Sequence, residues 1–338
     1  MTARKEAEAL DRADPLAPLR AAFAPLSGVY CDGHSLGPPT RAALERLQRT
    51  ATEDWAGRLV GAWNEGADGP WISLPERTGA KIARLVGVAA EDVVVADSVS
   101  VNIFKLAGAL ARPGDAVAVV AGEFPTDSYV VEGLARLTGA RFIRLGPDDP
   151  LAGRGIGVVV RSLVDYRTAR VVDMARAEAE ARAAGVALVW DLSHATGLLA
   201  LDLEAAGARY AVGCGYKYLN GGPGAPAFLY CRGDAAARLE TPIAGWFGHA
   251  APFDFATAHA SAPGARRFLA GTPPVLSLAA LDASLDLFDG IDMAAVEAKA
   301  ARLSEIFLAA AAPLDLDVVS PREGRRGGHV ALRSEDGY

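Results

Sequence analysis

Lysine is scarce in this sequence. Lys5, Lys81, Lys105, Lys217 and Lys299 stand among 34 basic residues, so 34 − 5 = 29 are arginine. Cysteine is scarcer still, and Cys31, Cys214 and Cys231 form no C-x-x-C pair. So sparse and odd a set of thiols excludes a disulfide framework and predicts a reducing, cytoplasmic setting. The five histidines (34, 194, 249, 259 and 329) show no ligand spacing, so no metal site is expected. No run of about 18 apolar residues is present, which predicts no membrane span. The charged stretch "MTARKEAEALDRADPLAPLRAAF" lacks the apolar centre of a signal peptide. Basic residues form no stripe and the net charge is −7, which argues against a nucleic-acid partner. There is no Walker A lysine motif, and no G-x-G-x-x-G stands between a strand and a helix, so nucleotide folds are unsupported.

What is present is apolar and periodic. With 338 residues, 51% of them hydrophobic, the chain can bury one large domain and a smaller one. Helical periodicity runs over 38–60 and 73–87. From "DVVVADS" (92–98) onward, β-branched runs alternate with helical patterns: "VNIFKLAGALA", "DAVAVVAGEF", "SYVVEGLARLTGA", "RFIRLG", "IGVVVRSL", "DMARAEAEARAAG" and "VALVWDLS". The runs "YAVGCG" and "AFLYCRG" follow as further strands. This alternation implies βαβ units in an α/β fold with a mainly parallel sheet, and strands apolar throughout imply helices on both faces. The Pro-rich "GTPPVLSL" (271–278) opens a helical stretch over 275–312, expected to join the N-terminal helices in the smaller domain.

In such sheets ligands sit beyond the carboxyl ends of the strands. Those ends carry Asp97, Ser98 and Ser100, then Glu123 to Asp127, Ser162, Asp191 with Ser193 and His194, and Tyr216 with Lys217. "ADSVSVN" places small hydroxyls at a helix start suited to phosphate, although simple N-capping explains them as well. Asp191 alone reads as a turn residue, and His194 alone as a structural histidine. Phe124 could stack on a ring and Asp127 could hydrogen-bond it, or both could belong to an ordinary Pro turn. "PIAGWFGHAAPFDF" and "RRFLAGTPP" could be packed loops only. Lys217 is the sharpest signal. An exposed lysine is usually a solvated charge, but this one follows an apolar run and sits between two tyrosines. Burial lowers a lysine pKa, and the neutral amine attacks carbonyls, which arginine does not do. An Asp placed 26 residues before such a Lys (217 − 191), both at strand ends, suits pyridoxal 5'-phosphate: the Asp pairs the ring nitrogen and the Lys holds the aldehyde.

Together "DGHSLG", "GPWI", "DSVSVN", "EFPTDSY", "VDYRTARVVDM", "DLSHATG", "GYKYLNGGPG", "GWFGH", "RRFLAGTPP" and "SPREGRRGGHVAL" run in order from about residue 30 to the last residues. In these the chain resembles the kynureninase family, part of the aspartate-aminotransferase-like (fold type I) pyridoxal-phosphate enzymes. The resemblance implies a pyridoxal-phosphate-binding large domain over 45–270. It also implies a smaller α/β domain built from 1–44 and 271–338. It implies that Lys217 binds the cofactor aldehyde, that Asp191 pairs the ring nitrogen with His194 beside it, and that Phe124 stacks on the ring near Asp127. Val99, Ser100, Ser162 and Tyr216 would surround the cofactor and its phosphate, with Tyr216 also an acid or base. Trp246 and Thr272 would reach the phosphate from a second subunit, making the site a property of a homodimer. Ser35, Trp63 and Gly271 match substrate-lining positions, and a tryptophan at 63 looks like the bacterial type that favours kynurenine over its 3-hydroxy form. The implied reaction is hydrolysis of L-kynurenine to anthranilate and L-alanine, in tryptophan catabolism and NAD biosynthesis.

The family pattern continues beyond "GGHVALRSEDGY" with a segment that completes the small domain and carries a carboxylate-binding Arg. The expectation is therefore a chain incomplete at its C-terminus. The competing expectations are another fold type I lyase of the cysteine desulfurase kind and a truncated, non-catalytic remnant. "GWFGH" and "YKYLN" speak against the desulfurase, as does the lack of a cysteine in an evident mobile-loop motif.

Overall fold

A computed structural model of the chain describes residues 3–314 and 316–334. The outer ends of the expected segments 1–44 and 271–338, namely 1–2 and 335–338, lie outside the described residues. Seven strands form one sheet: β1 (Val93–Val95), β2 (Ala116–Val120), β3 (Arg141–Leu145), β4 (Ile156–Ser162), β5 (Ala187–Asp191), β6 (Tyr210–Gly213) and β7 (Phe228–Cys231). Their spatial order is β1-β7-β6-β5-β4-β2-β3. The pairs β2–β3, β2–β4, β4–β5 and β5–β6 are parallel, while β7 runs antiparallel to both neighbours, β6 and β1. The mainly parallel α/β sheet expected from the alternation of patterns is thus what forms.

The continuous apolar strands have a direct cause. Successive strand side chains point to opposite faces, and both faces carry a core. Val93 and Val95 enter one core, with Trp190, Leu188 and Phe228; Val94 enters the other, with Val189, Val117 and Val119. The first core is covered by the helices Leu74–Val86 and Met174–Ala184, and the second by Val99–Leu110 and Pro125–Thr138. Each fully buried Val or Leu is worth about 1.5–3 kcal/mol relative to exposure, so alternating burial anchors the strand register.

Two helical expectations change. Over 38–60 the α-helix begins only at Arg41, where Thr40 Oγ1 accepts from Ala43 N at 3.1 Å, and it widens into a π-helix at Thr50–Arg58 that stops at Leu59 with φ 49°. The stretch 275–312 is not one helix. Val275–Ser284 runs into a 3-10 turn, Leu285–Phe288, and the chain reverses at Gly290 (φ 73°) before Met293–Ala311, which Asp292 caps. N- and C-terminal segments pack together: Arg46 pairs with Asp282 at 3.2 Å and Lys299 with Asp14 at 2.5 Å. A two-stranded antiparallel sheet, β8 (Asp317–Val318) and β9 (Leu332–Arg333), completes the described C-terminal part.

Candidate active site

A cavity of about 490 Å³ opens at the carboxyl ends of the sheet strands. The turn after β1 and the start of the following helix supply Ser98, Val99 and Ser100 to its wall. Ser98 caps that helix, its Oγ accepting from Val101 N at 3.4 Å, and the helix start at Val99 and Ser100 forms part of the cavity wall. Phe124 and Asp127 come from the turn after β2, Ser162 ends β4, Asp191 ends β5 with His194 just beyond, and Tyr216 and Lys217 stand in the loop after β6. The fold therefore gathers ten residues singled out in the sequence around one space.

At its centre Lys217 Nζ lies 2.8 Å from His194 Nε2 and 5.9 Å from the centroids of the Phe124 and Tyr216 rings. Burial first, and then the neighbouring Lys217, His329 and His34, hold the His194 pKa down at about 3, so this imidazole is neutral. The floor is acidic. Asp191 accepts from Ser193 N at 2.8 Å, yet complete burial still raises its pKa. Burial, and then the neighbouring Asp191 and Glu123, push Asp127 to about 9. Glu123 accepts from Ser162 N at 2.8 Å and is raised to about 7, again by burial first. Burial also raises Tyr216 to about 12, so its phenol keeps its proton.

Five expected residues lie elsewhere. Ser35 is exposed on the loop next to Leu36, which does line the cavity. Trp63 is not in the Lys217 cavity of its own chain; it packs edge-on against Trp246 at 5.9 Å and Trp71 at 5.8 Å. Trp246 adjoins the 270–272 segment, since Phe247 N donates to Ala270 O at 3.1 Å, and Gly271 and Thr272 are exposed there. Trp63, grouped in the sequence with Ser35 and Gly271, thus lies beside Trp246, held by an edge-on indole contact.

The structure adds residues not singled out as site members. Tyr166 packs edge-on against Phe124 at 5.3 Å, and it stands in the quoted "VDYRTARVVDM". His34 and His329 stack at 5.0 Å with 14° between planes, and His329 lies 5.7 Å from the His194 ring. Gly37 seats the N-terminal loop on the lysine turn: its N–H donates to Tyr216 O at 2.9 Å, and a Cβ there would fall 2.1 Å from the Lys217 carbonyl oxygen. A larger groove of about 750 Å³, lined by Arg161, Arg170, Asp173 and Glu180, lies away from these groups. Among the described residues no cluster suits a metal ion.

These residues fit pyridoxal 5'-phosphate. Asp127 Oδ2 is buried without a hydrogen-bond partner, and the Asp127 and Asp191 carboxyls, whose positive neighbour is Lys217, call for a cationic N–H such as a protonated pyridine. Phe124 leaves 45% of its surface open beside Lys217, a flat apolar face suited to a ring. Cys214 also lines the cavity, but it is 3% exposed and burial raises its thiol pKa, so it is no mobile thiolate.

Known proteins agree with this geometry. The aminotransferase class-V family model matches residues 155–332. The kynureninase of Deinococcus radiodurans is 47% identical over 96% of this chain and 83% of its own length. That of Pseudomonas fluorescens is 38% identical over 100% of this chain and 85% of its own. Among solved structures, the cystine C-S lyase C-DES with glycine linked to its PLP cofactor superposes with a TM-score of 0.78 at 18% identity, covering 90% of this chain and 82% of that one. The cysteine desulfurase CsdA of Escherichia coli gives 0.77 at 19% identity, over 95% and 83%. At that distance the two structures speak for the fold, whereas the sequence relatives reach further: the chain belongs to the kynureninase family.

Proposed function

We propose that the protein hydrolyses the Cβ–Cγ bond of L-kynurenine, giving anthranilate and L-alanine, with pyridoxal 5'-phosphate as its cofactor. The observation that carries this is Lys217 Nζ, 2.8 Å from a neutral His194 and above an acidic floor, in a chain 47% identical to a kynureninase. When bound, the cofactor supplies an aldehyde that condenses with amines and a protonated ring that accepts electrons. Lys217 would hold the cofactor at its aldehyde end, and its amine would move the proton at the substrate α-carbon. His194, uncharged, orients that amine without competing for a positive charge. Asp191, with Asp127 beside it, would hold the ring nitrogen in its protonated form, and Phe124 would offer the ring an apolar face. Val99 and Ser100 would hold the phosphate at the helix start, and Ser162 would contribute to the same cavity wall. Tyr216, its phenol protonated, is the acid for the later proton transfers.

The same reading makes the enzyme a homodimer. Trp246, half-buried, and Thr272, exposed, both outside the Lys217 cavity, reach the phosphate of the partner's site, and Trp63, packed on Trp246, enters with them. Gly271 accompanies them, and Ser35 lines the substrate at the mouth of its own chain's cavity. Segments 1–44 and 271–338 act as a smaller domain against 45–270. The reaction belongs to tryptophan catabolism in the cytoplasm and can feed NAD biosynthesis; among the described residues no helix is long and apolar enough to cross a membrane.

The test is direct: load the protein with pyridoxal 5'-phosphate, add L-kynurenine, and follow anthranilate fluorescence together with L-alanine. Equal release of both is expected. A loaded, yellow protein that releases alanine from cysteine but no anthranilate overturns the reading in favour of a desulfurase, and one that turns over neither marks a non-catalytic remnant.

A further inference from the structure

Lys105 is a second uncommon lysine, and the proposed reaction makes no use of it. It is fully buried in the helix Val99–Leu110. Its Nζ donates to Asp97 Oδ2 at 2.5 Å and to the Phe268 carbonyl at 2.6 Å. A buried ammonium persists only where it is paired, and these two oxygens pair it.

Asp97 is unusual in its own right. It closes β1 with a left-handed backbone, φ 50°, which Asp adopts more readily than most residues. Its carbonyl accepts from Ala227 N at 2.9 Å, tying the turn to β7. Its carboxylate, 34% exposed, lines the cavity beside Ser98, Val99 and Ser100. An acid thus stands in the wall of the cup that would hold a phosphate dianion, where like charges repel strongly because the surroundings are poorly polarisable.

We propose that Lys105 is a positioning residue for the cofactor phosphate: through its ion pair with Asp97 it cancels the charge of that acid and holds the Asp97–Ser100 turn against the Phe268 carbonyl. The pair therefore joins the phosphate cup to the base of the segment that carries Gly271 and Thr272. This rests on the reading of the cavity as a pyridoxal-phosphate site. Asp97 contributes the turn conformation, and Lys105 makes that acid compatible with a dianion.

The test measures binding, not turnover. Cofactor-free protein is titrated with pyridoxal 5'-phosphate and with pyridoxal, which lacks the phosphate, and uptake is followed by absorbance and tryptophan fluorescence. Lys105→Met should weaken pyridoxal 5'-phosphate about tenfold and pyridoxal less than about twofold, because only the former meets the bared Asp97 charge. Asp97→Asn should bind pyridoxal 5'-phosphate at least as tightly as wild type. The double variant, neutral at both positions, should return to within about threefold of wild type. Equal loss of both ligands in Lys105→Met, or a double variant no tighter than Lys105→Met, overturns the proposal. Should Lys105→Met fail to fold, Asp97→Asn binding tighter than the double variant supports the charge role, and equal affinities overturn it. Wild-type protein that takes up no pyridoxal 5'-phosphate overturns the cofactor reading itself, and this proposal with it.

Discussion

Two lysines, both in or beside one cavity, are kept in opposite ways. Lys105 has no exposed surface and is given a carboxylate and a carbonyl. Lys217 is half-buried and faces a neutral imidazole, an open aromatic face and, further off, carboxyls that burial drives toward their protonated forms. The first arrangement holds a charge still. The second leaves an amine with one weak partner and room to move. Burial alone does not make a lysine reactive; the identity of the atom within 3 Å of its nitrogen separates a nucleophile from a strut.

The sharpest way to break that contrast is at Lys217. Lys217→Ala should lower anthranilate formation by about a thousandfold or more, and Lys217→Arg should be as inactive, because a guanidinium stays protonated. Turnover measured by fluorescence, beside unchanged far-ultraviolet circular dichroism, checks this. Activity retained in Lys217→Arg would show that the amine is not the reactive group.

Next comes the fixed charge. Asp97→Ala removes the partner of a buried ammonium and should destabilise the protein by about 3–5 kcal/mol, while Lys217→Ala should cost under about 1 kcal/mol. Urea unfolding of the cofactor-free forms measures both. A cost for Asp97→Ala no greater than for Lys217→Ala would erase the distinction between the two lysines.

The acidic floor gives a smaller, pH-dependent signal. Glu123 has a folded pKa of about 7 against an ordinary 4.5. The folded state therefore holds a proton that the unfolded chain has released, so stability falls as pH rises from 4.5 through about 7. Asp127 adds the same trend from 3.8 up to about 9. Glu123→Gln should flatten the lower part of this decline in cofactor-free protein, and a cation bound over the floor should oppose it. An unchanged slope between pH 5 and about 7 in the variant would remove Glu123 from the cluster. The smallest effect belongs to the solvent: Arg84 and Asp289, 61% and 60% exposed and 2.7 Å apart, should lose under about 0.5 kcal/mol in Arg84→Ala by the same unfolding measurement.

Local features of the chain were readable. Strands buried on both faces write themselves as unbroken apolar runs, and Asp191, His194 and Lys217 each follow such a run directly, so their convergence needed only the rule that sites lie beyond strand ends. What depends on tertiary packing was not. "FLYC" carries no direction, so the reversal of β7 is invisible in it. The stacking of His34 on His329 and of Trp63 on Trp246 joins distant segments that no local pattern links. The break at 285–292 did leave a trace, a Gly followed by a capping Asp in "DGID", outweighed by the apolar periodicity on either side. The carboxyl floor is intermediate: the acids are visible in the sequence, but their reluctance to ionise comes from depth.

The reversed strand has one more consequence. A parallel successor to β6 would have needed a long crossover to the opposite end of the sheet. Because β7 comes straight back, residues 214–227 stay on the cavity rim as a hairpin loop, both ends of which are pinned by the ladder. The loop itself is packed: Leu219 has no exposed surface, Ser284 Oγ donates to its carbonyl at 2.6 Å, and a Cβ on Gly215 or Gly221 would meet atoms within 3 Å. The reactive lysine thus sits in a connection held at both ends by the ladder and along its length by core contacts, so a change in this loop is felt by the strands and by the cavity together.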